Sequence, residues 1–292
     1  MTIRDLGYQR YDGPRLPHRS RYRVLISRTL SLEWASGLLK TAFILGMIPM
    51  VACGAWMFFK IWGINQLAAQ GAPREMLLEK FGNPSDWVFY CVFWCQIWFA
   101  FAISLLAAAP AISDDVRTGA FQFYFARPVS KGHYLLGKLV PVWLFLALTT
   151  VPPGLALSLL RVALCKTAAE AWQALPLVAS TLVYGLISAT VLSLVPLAMS
   201  TLGRRSGALQ GAWAAVFFLP WILGETLASA TDIPYAALVS IPTDLRLLAQ
   251  GLFGMAPSYA VPWYLPAAIL GALAAASLWV LLRRLERVEV FS

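Results

Sequence analysis

The chain is short of the side chains that most enzymatic chemistry needs. Histidine occurs only as His18 and His133 in 292 residues. No apolar segment therefore offers the paired imidazoles of a haem or intramembrane metal site, and no H-E-x-x-H helix is present. Cysteine is scarce too, with four residues. Cys91 and Cys95 share a helical face at i, i+4, a spacing poorly placed for a disulfide, while Cys53 and Cys165 stand apart. Without histidine these thiols fall short of a zinc site, and packing accounts for them. Charge is sparse as well: 13% of the residues are charged, against about 25% in a soluble globular domain. Within the long apolar runs, alternation of polar and apolar residues at period two is missing, which removes a membrane β-barrel.

Hydrocarbon is what the chain has in excess. It is 59% hydrophobic with a mean hydropathy of +0.68, the composition of a protein whose solvent is lipid. About 20 apolar residues cross a hydrocarbon core of roughly 30 Å as a helix. Six runs meet that length: 38–59, 87–112, 139–160, 175–200, 209–230 and 263–282. The expected fold is all-α and polytopic, with residues 38–283 as the transmembrane domain between a tail at 1–37 and another at 284–292.

The cations are distributed unevenly between the two faces. Arg4, Arg10, Arg15, Arg19, Arg21, Arg23 and Arg28 precede the first span, and Arg117, Arg127, Lys131 and Lys138 fall between the second and third. Arg204 and Arg205 separate the fourth and fifth, and Arg283, Arg284 and Arg287 follow the sixth. The other face holds fewer: Lys60, Arg74, Lys80, Arg161, Lys166 and Arg246, with Lys40 at a boundary. The positive-inside rule then puts both termini in the cytoplasm. A net charge of +9 thus reports topology and attraction to anionic membrane lipid, and no nucleic-acid partner is expected.

The first 37 residues are too long, too rich in arginine and too interrupted by Pro14 and Pro17 for a secretory signal. Within them, Tyr22, Leu25, Ile26, Thr29 and Leu30 recur at helical spacing, which predicts a helix lying in the membrane interface. Trp56, Phe58, Phe59 and Trp62 end the first span, Trp87, Phe89 and Tyr90 begin the second, and Trp263 and Tyr264 begin the sixth. All are suited to the outer interface. Between spans five and six, residues 231–262 carry Pro234, Pro242, Pro257 and Pro262 and are too short between breaks to cross. Short helices re-entering the outer leaflet fit this pattern, an extracellular loop being the plainer alternative. Glu225 is the one acidic residue placed where a span can hold it; it reads either as a pathway or gate residue or as a hydrated interfacial carboxylate.

The segment between spans two and three combines four cations with Gly and Pro punctuation: RTGAFQFYFARPVSKGHYLLGK, residues 117–138. Phe121, Phe123 and Phe125 alternate with Gln122 and Tyr124, Pro128 closes the run, and Ser130 is placed to cap the helix that follows. Its apolar side can lie on the bilayer or dock on a cytoplasmic partner. Residues 132–138 satisfy G-x-x-x-x-G-K, yet Leu139 follows where a magnesium-binding hydroxyl should stand, and no strand precedes. That excludes a phosphate-binding loop.

ISDDVRTGAFQFYFARPVSKGHYLLGK, residues 112–138, resembles the signature that ends the second span of ABC type-2 permeases. Gly119, Arg127, Pro128, Val129, Ser130, Gly137 and Lys138 match as they stand; Asp115 replaces the usual Glu, and Ala120 a frequent Thr. SIPTDLRLLAQGLFG, residues 240–254, is similar to the segment between the family's last two spans. The resemblance implies a half-transporter of exporter type in a bacterial inner membrane. Two copies of the chain form the pathway, and two copies of a separate cytoplasmic ATPase bind beneath. ATP and magnesium belong to that partner; this chain holds no cofactor or metal and is not itself an enzyme. Residues 113–131 would be the coupling helix, with Phe121, Phe123 and Phe125 seated in the ATPase and Asp115, Arg117, Arg127 and Lys131 setting register. The resemblance also implies a dimer seam along spans one, two and five, with Trp213, Phe217, Phe218 and Trp221 as candidate seam or pathway residues beside Glu225; aromatics that simply face lipid are the alternative reading of the four rings. A membrane scaffold that recruits a cytoplasmic partner is the alternative reading of the same insert.

Overall fold

A computed structural model describes residues 21–71, 73, 76–77, 84–120 and 130–287. In chain order the helices are α1 (Arg21–Ala35), α2 (Gly37–Ala69), α3 (Pro84–Ile103), α4 (Ser113–Thr118), α5 (Lys131–Ala163), α6 (Ala168–Ser200), α7 (Ser206–Thr231), α8 (Ile241–Leu252) and α9 (Tyr264–Arg287). A π-helical turn, Ser104–Ala108, continues α3, and a 3-10 turn, Pro234–Val239, precedes α8. Six stretches are long and apolar enough to cross a membrane: Gly37–Ala69, Trp87–Thr118, Lys131–Ala163, Ala168–Ser200, Ser206–Thr231 and Tyr264–Leu285.

Most of these helices outrun the apolar runs that announce them. α5 and α6 each have 33 residues, about 50 Å of rise. Hydropathy sees only the part that must avoid water, whereas backbone hydrogen bonding carries on until a cap stops it. At the start of α5 that cap is Ser130, whose hydroxyl accepts from the His133 N–H at 3.3 Å. Thr167 does the same for α6, accepting from the Glu170 N–H.

Spans α3, α5 and α6 form the centre. They bury 56%, 56% and 67% of their most apolar window, against 22% for each of α2, α7 and α9, so the last three keep wide faces open. α5 and α6 run antiparallel and approach closely because glycine is placed where a side chain would collide. A Cβ on Gly154 would stand 2.5 Å from Thr181 Cγ2, and one on Gly185 would stand 2.6 Å from Val151 Cγ2. Small residues do this work in lipid, where no hydrophobic force draws helices together. Hydroxyls then bridge the gap: Ser158 and Thr181 lie 2.9 Å apart, and the Thr150 hydroxyl donates to the Gly185 carbonyl at 3.2 Å.

α1 is a separate helix that ends at Ser36, where the backbone is extended. It packs on the start of α5, with Leu25 over Gly137, where an added Cβ would meet Leu25 Cβ at 2.9 Å. Trp34 stacks on Phe145 with centroids 5.8 Å apart.

The residues between spans five and six fold inward. α8 has 12 residues, about 18 Å of rise and too little to cross. Ser240 caps it, accepting from the Thr243 N–H. Its residues are buried on nearly every side, Ile241 to Leu245 and Leu247 to Gln250 included, as expected of a helix inside a bundle. Phe253 anchors its end by stacking on Phe89 and Phe93 at 5.3 and 4.9 Å. A plain extracellular loop does not describe this segment.

Candidate functional site

Two polar clusters lie at opposite ends of α3 and its continuation, one around Asp115 and one around Glu225. Trp94 and Asp115 mark the two ends and are separated by about 30 Å of helical rise.

The first cluster begins with the π turn. Within it the Ala109 N–H bonds back to the Ser104 carbonyl, and Pro110, five residues after Leu105, has no N–H to give; the Gln210 side-chain amide of α7 donates to the Leu105 carbonyl at 3.1 Å. Trp213 donates its indole N–H to Ser104 Oγ at 2.9 Å. These contacts satisfy groups that hydrocarbon could not. One turn later the chain re-enters a helix as α4. The Ile112 and Ser113 N–H groups both donate to Ser200 Oγ, at 2.9 and 3.0 Å, so the end of α6 supplies the cap that α4 lacks locally.

Asp115 on α4 is then gripped from α5. Tyr134 and Lys138, at i and i+4, share one helical face. The Tyr134 hydroxyl donates to Asp115 Oδ2 at 2.7 Å, and Lys138 Nζ lies 2.8 Å from the same oxygen. Both charged side chains of the pair are about 15% exposed or less, so water screens little of the attraction. Glu33 of α1 faces the same lysine. Burial pushes its carboxyl from 4.5 up to about 7, and the Lys138 charge partly opposes that rise. Its Oε2 is buried with no hydrogen-bond partner among the described residues. The pattern of the sequence did not single out Glu33, because it lies in a polar stretch where an exposed carboxylate is unremarkable.

Of the other residues expected to couple, Arg117 pairs with Asp114 at 3.3 Å in an exposed i, i+3 contact of little energetic weight. Gly119 ends α4 in the left-handed region, φ +70°. Glycine adopts this conformation without the penalty a side chain incurs. Lys131 is the first residue of α5 and is half-buried. Phe121, Phe123, Phe125, Arg127 and Pro128 lie outside the described residues.

The second cluster centres on Glu225. Its Oε1 accepts from Arg246 at 2.6 Å and from the Thr243 hydroxyl at 3.0 Å; its Oε2 accepts from the Tyr259 hydroxyl at 2.5 Å. The Arg246 guanidinium also lies 5.4 Å from the Trp94 ring centroid and 5.7 Å from that of Tyr259, both within cation–π range. The carboxylate joins α7, α8 and the chain before α9, and neither of the two sequence readings of Glu225 anticipated a fully engaged side chain. Arg246, counted there only as a cation of the outer face, is its charge partner. The cue was present in principle, since a carboxylate near a span needs a cation, but spacing does not say which one.

Aromatic rings continue from this cluster down the contact between α3 and α7. Trp98 stacks on Phe218 at 5.8 Å and meets Trp221 edge-on at 5.0 Å, while Phe101 stacks on Phe217 at 4.2 Å. Trp213 and Phe217 are fully buried inside the chain, and Phe218 and Trp221 are half-buried at its edge. The four residues expected along a seam therefore divide into an inner pair and an outer pair.

The thiols also come together more than their spacing suggests: Cys53 of α2 neighbours Cys91 of α3. All four cysteines are free. Among the described residues, no group of three or more His, Cys, Asp or Glu side chains could hold a metal ion. Chemically, both clusters are suited to holding helix ends in register, since each carboxylate pairs with a cation and accepts from a hydroxyl. Comparison with protein-family models and with curated proteins finds no match to this chain.

Proposed function

We infer that the chain is the membrane-spanning subunit of an ATP-driven exporter of the ABC type-2 kind, acting as a dimer in a bacterial inner membrane with both termini cytoplasmic. A separate ATPase, in two copies, supplies the ATP and magnesium chemistry. The observation that carries the reading is the anchoring of the segment that leads into the insert. α4 is tied to α6 through Ser200 and to α5 through Tyr134 and Lys138, and α5 is in turn clamped by α1 at Gly137. A push on residues 119–131 would thus reach three long helices with little slack, as a coupling element requires.

In this reading α1 lies in the inner interface and braces the third span. The helices between spans five and six re-enter the outer leaflet, and the Glu225–Arg246 pair locks them to α7. Phe218 and Trp221 face a second copy, while Trp213 and Phe217 hold α7 against α3. Phe121, Phe123 and Phe125 supply burial on the ATPase at about 1.5–3 kcal/mol per buried ring, and Asp115, Arg117, Arg127 and Lys131 set its register.

The test is co-expression with candidate ABC ATPases from the same source, followed by purification through a tag on this chain. A motor subunit should be retained, and Phe123→Asp or Arg127→Glu should change its turnover while leaving this chain folded. Retention with turnover unchanged in both variants would favour a scaffold over a coupled permease.

A further inference from the structure

In the cluster around Asp115 one ammonium group serves two carboxyl groups that arrive from different helices. Lys138 of α5 is 2.8 Å from Asp115 Oδ2 on α4, and its charge also acts on Glu33 of α1. Among the described residues, Asp115 is the one carboxylate within ion-pair distance of Lys138. Glu33 keeps a buried Oε2 that has no hydrogen-bond partner among those residues. An uncharged carboxyl loses far less in that position than a carboxylate, whose buried charge needs a partner. The other ionisable groups on the helices around Glu33 are placed differently. On α5, Tyr134 donates to Asp115, His133 Nδ1 lies 2.7 Å from Ser130 Oγ, and Lys131 opens the helix. On α4, Asp114 pairs with Arg117. On α2, Lys40 Nζ lies 5.9 Å over the Trp34 ring, and on α1 itself Arg23 and Arg28 are exposed. Of all these groups, Lys138 is the cation whose charge reaches Glu33.

We propose that Glu33 is a proton-operated catch on α4. Uncharged, it leaves Lys138 wholly to Asp115, and α4 stays tied to α5; charged, it draws the ammonium toward α1 and slackens that tie. The packing makes the lysine the moving part. Leu25 over Gly137 and Trp34 stacked on Phe145 fix α1 along α5, so the carboxylate does not escape by shifting its helix. Lys138, directly after Gly137, carries its charge on a flexible four-carbon stem. Burial raises the Glu33 carboxyl from 4.5 to about 7, against the opposing Lys138 charge, which centres the change of state near neutral pH. The sign follows from the bound proton: the tied state prevails below about 7 and the slack state above it. The device needs neither an ATPase nor a second copy of the chain, so it stands apart from the transporter reading.

Hydrogen exchange at Ser113–Thr118 tests it, measured on the full chain in detergent at about pH 6 and about pH 8, one unit either side of the Glu33 transition, and corrected for the intrinsic rise of exchange with pH. In the unaltered chain protection should fall on the order of tenfold between the two, the scale of one hydrogen bond to a charged group. It should stay high at both in Glu33→Gln and in the equally uncharged Glu33→Met. His133→Gln should keep the fall, histidine being the usual source of such a dependence. Equal protection at the two pH values in the unaltered chain overturns the proposal. So does an undiminished fall in the Glu33 variants, or loss of the fall in His133→Gln.

Discussion

Arg246 approaches Glu225 to 2.6 Å while lying face-on to Trp94 at 5.4 Å, so one guanidinium joins the short helix α8 to two membrane spans. The arginine is 14% exposed and the glutamate 29%, which makes the pair expensive to break from one side. Arg246→Met should leave Glu225 with hydroxyl donors alone and cost about 3 kcal/mol or more. Glu225→Leu in the same chain should return part of that loss by removing the uncompensated charge. Thermal midpoints of the two variants in detergent decide it: no recovery in the double variant would mean that Arg246 acts through packing on Trp94 instead.

At the other end of α3, Lys138→Met removes the cation shared by Asp115 and Glu33. The loss should be about 3 kcal/mol and should loosen α4, seen as faster hydrogen exchange at Ser113–Thr118. Asp115→Asn, which keeps an acceptor for Tyr134, should cost less. Equal exchange in the unaltered and Lys138→Met proteins would show that Ser200 and Tyr134 hold α4 without the cation.

Gly137→Ala forces a methyl group against Leu25 Cβ. Overpacking of this kind costs about 1–3 kcal/mol, and because alanine at position 25 would keep the clashing Cβ, the strain should be relieved by Leu25→Gly in the same chain. Four chemical-denaturation midpoints form the cycle, and strict additivity would place α1 elsewhere than on Gly137.

Glu33 makes stability depend on pH with a definite sign. Its carboxyl titrates near 7 in the folded chain against 4.5 for the free group, so the folded state binds the proton more tightly. The stabilisation is fully present below pH 4.5 and declines as pH rises through 7, where the carboxyl must ionise in its shielded position. Glu33→Gln should flatten the fall in thermal midpoint across that window. A profile that is unchanged by the substitution would assign the dependence to another group.

The chain announced its six spans because each is a statement about some twenty consecutive residues, and the cost of backbone in hydrocarbon depends on little else. Ser130 as a cap was equally visible, since capping is local. α8 was harder: four prolines ruled out a crossing, but only its neighbours show that Leu245, Leu248 and Phe253 are covered from all sides. Trp213 and Phe217 were offered as seam or pathway residues by resemblance alone, which assigns them to a span without naming the rings of α3 that bury them.

Composition and the order of residues therefore determined, on their own, that the fold is helical, that six helices are long and apolar enough to cross a membrane and which ends carry the cations. Tertiary structure alone decided that Glu225 answers to Arg246, Asp115 to Lys138 and Leu25 to Gly137. Those partners are far apart along the chain, and their meeting depends on how helices rotate and stack, which no local pattern encodes.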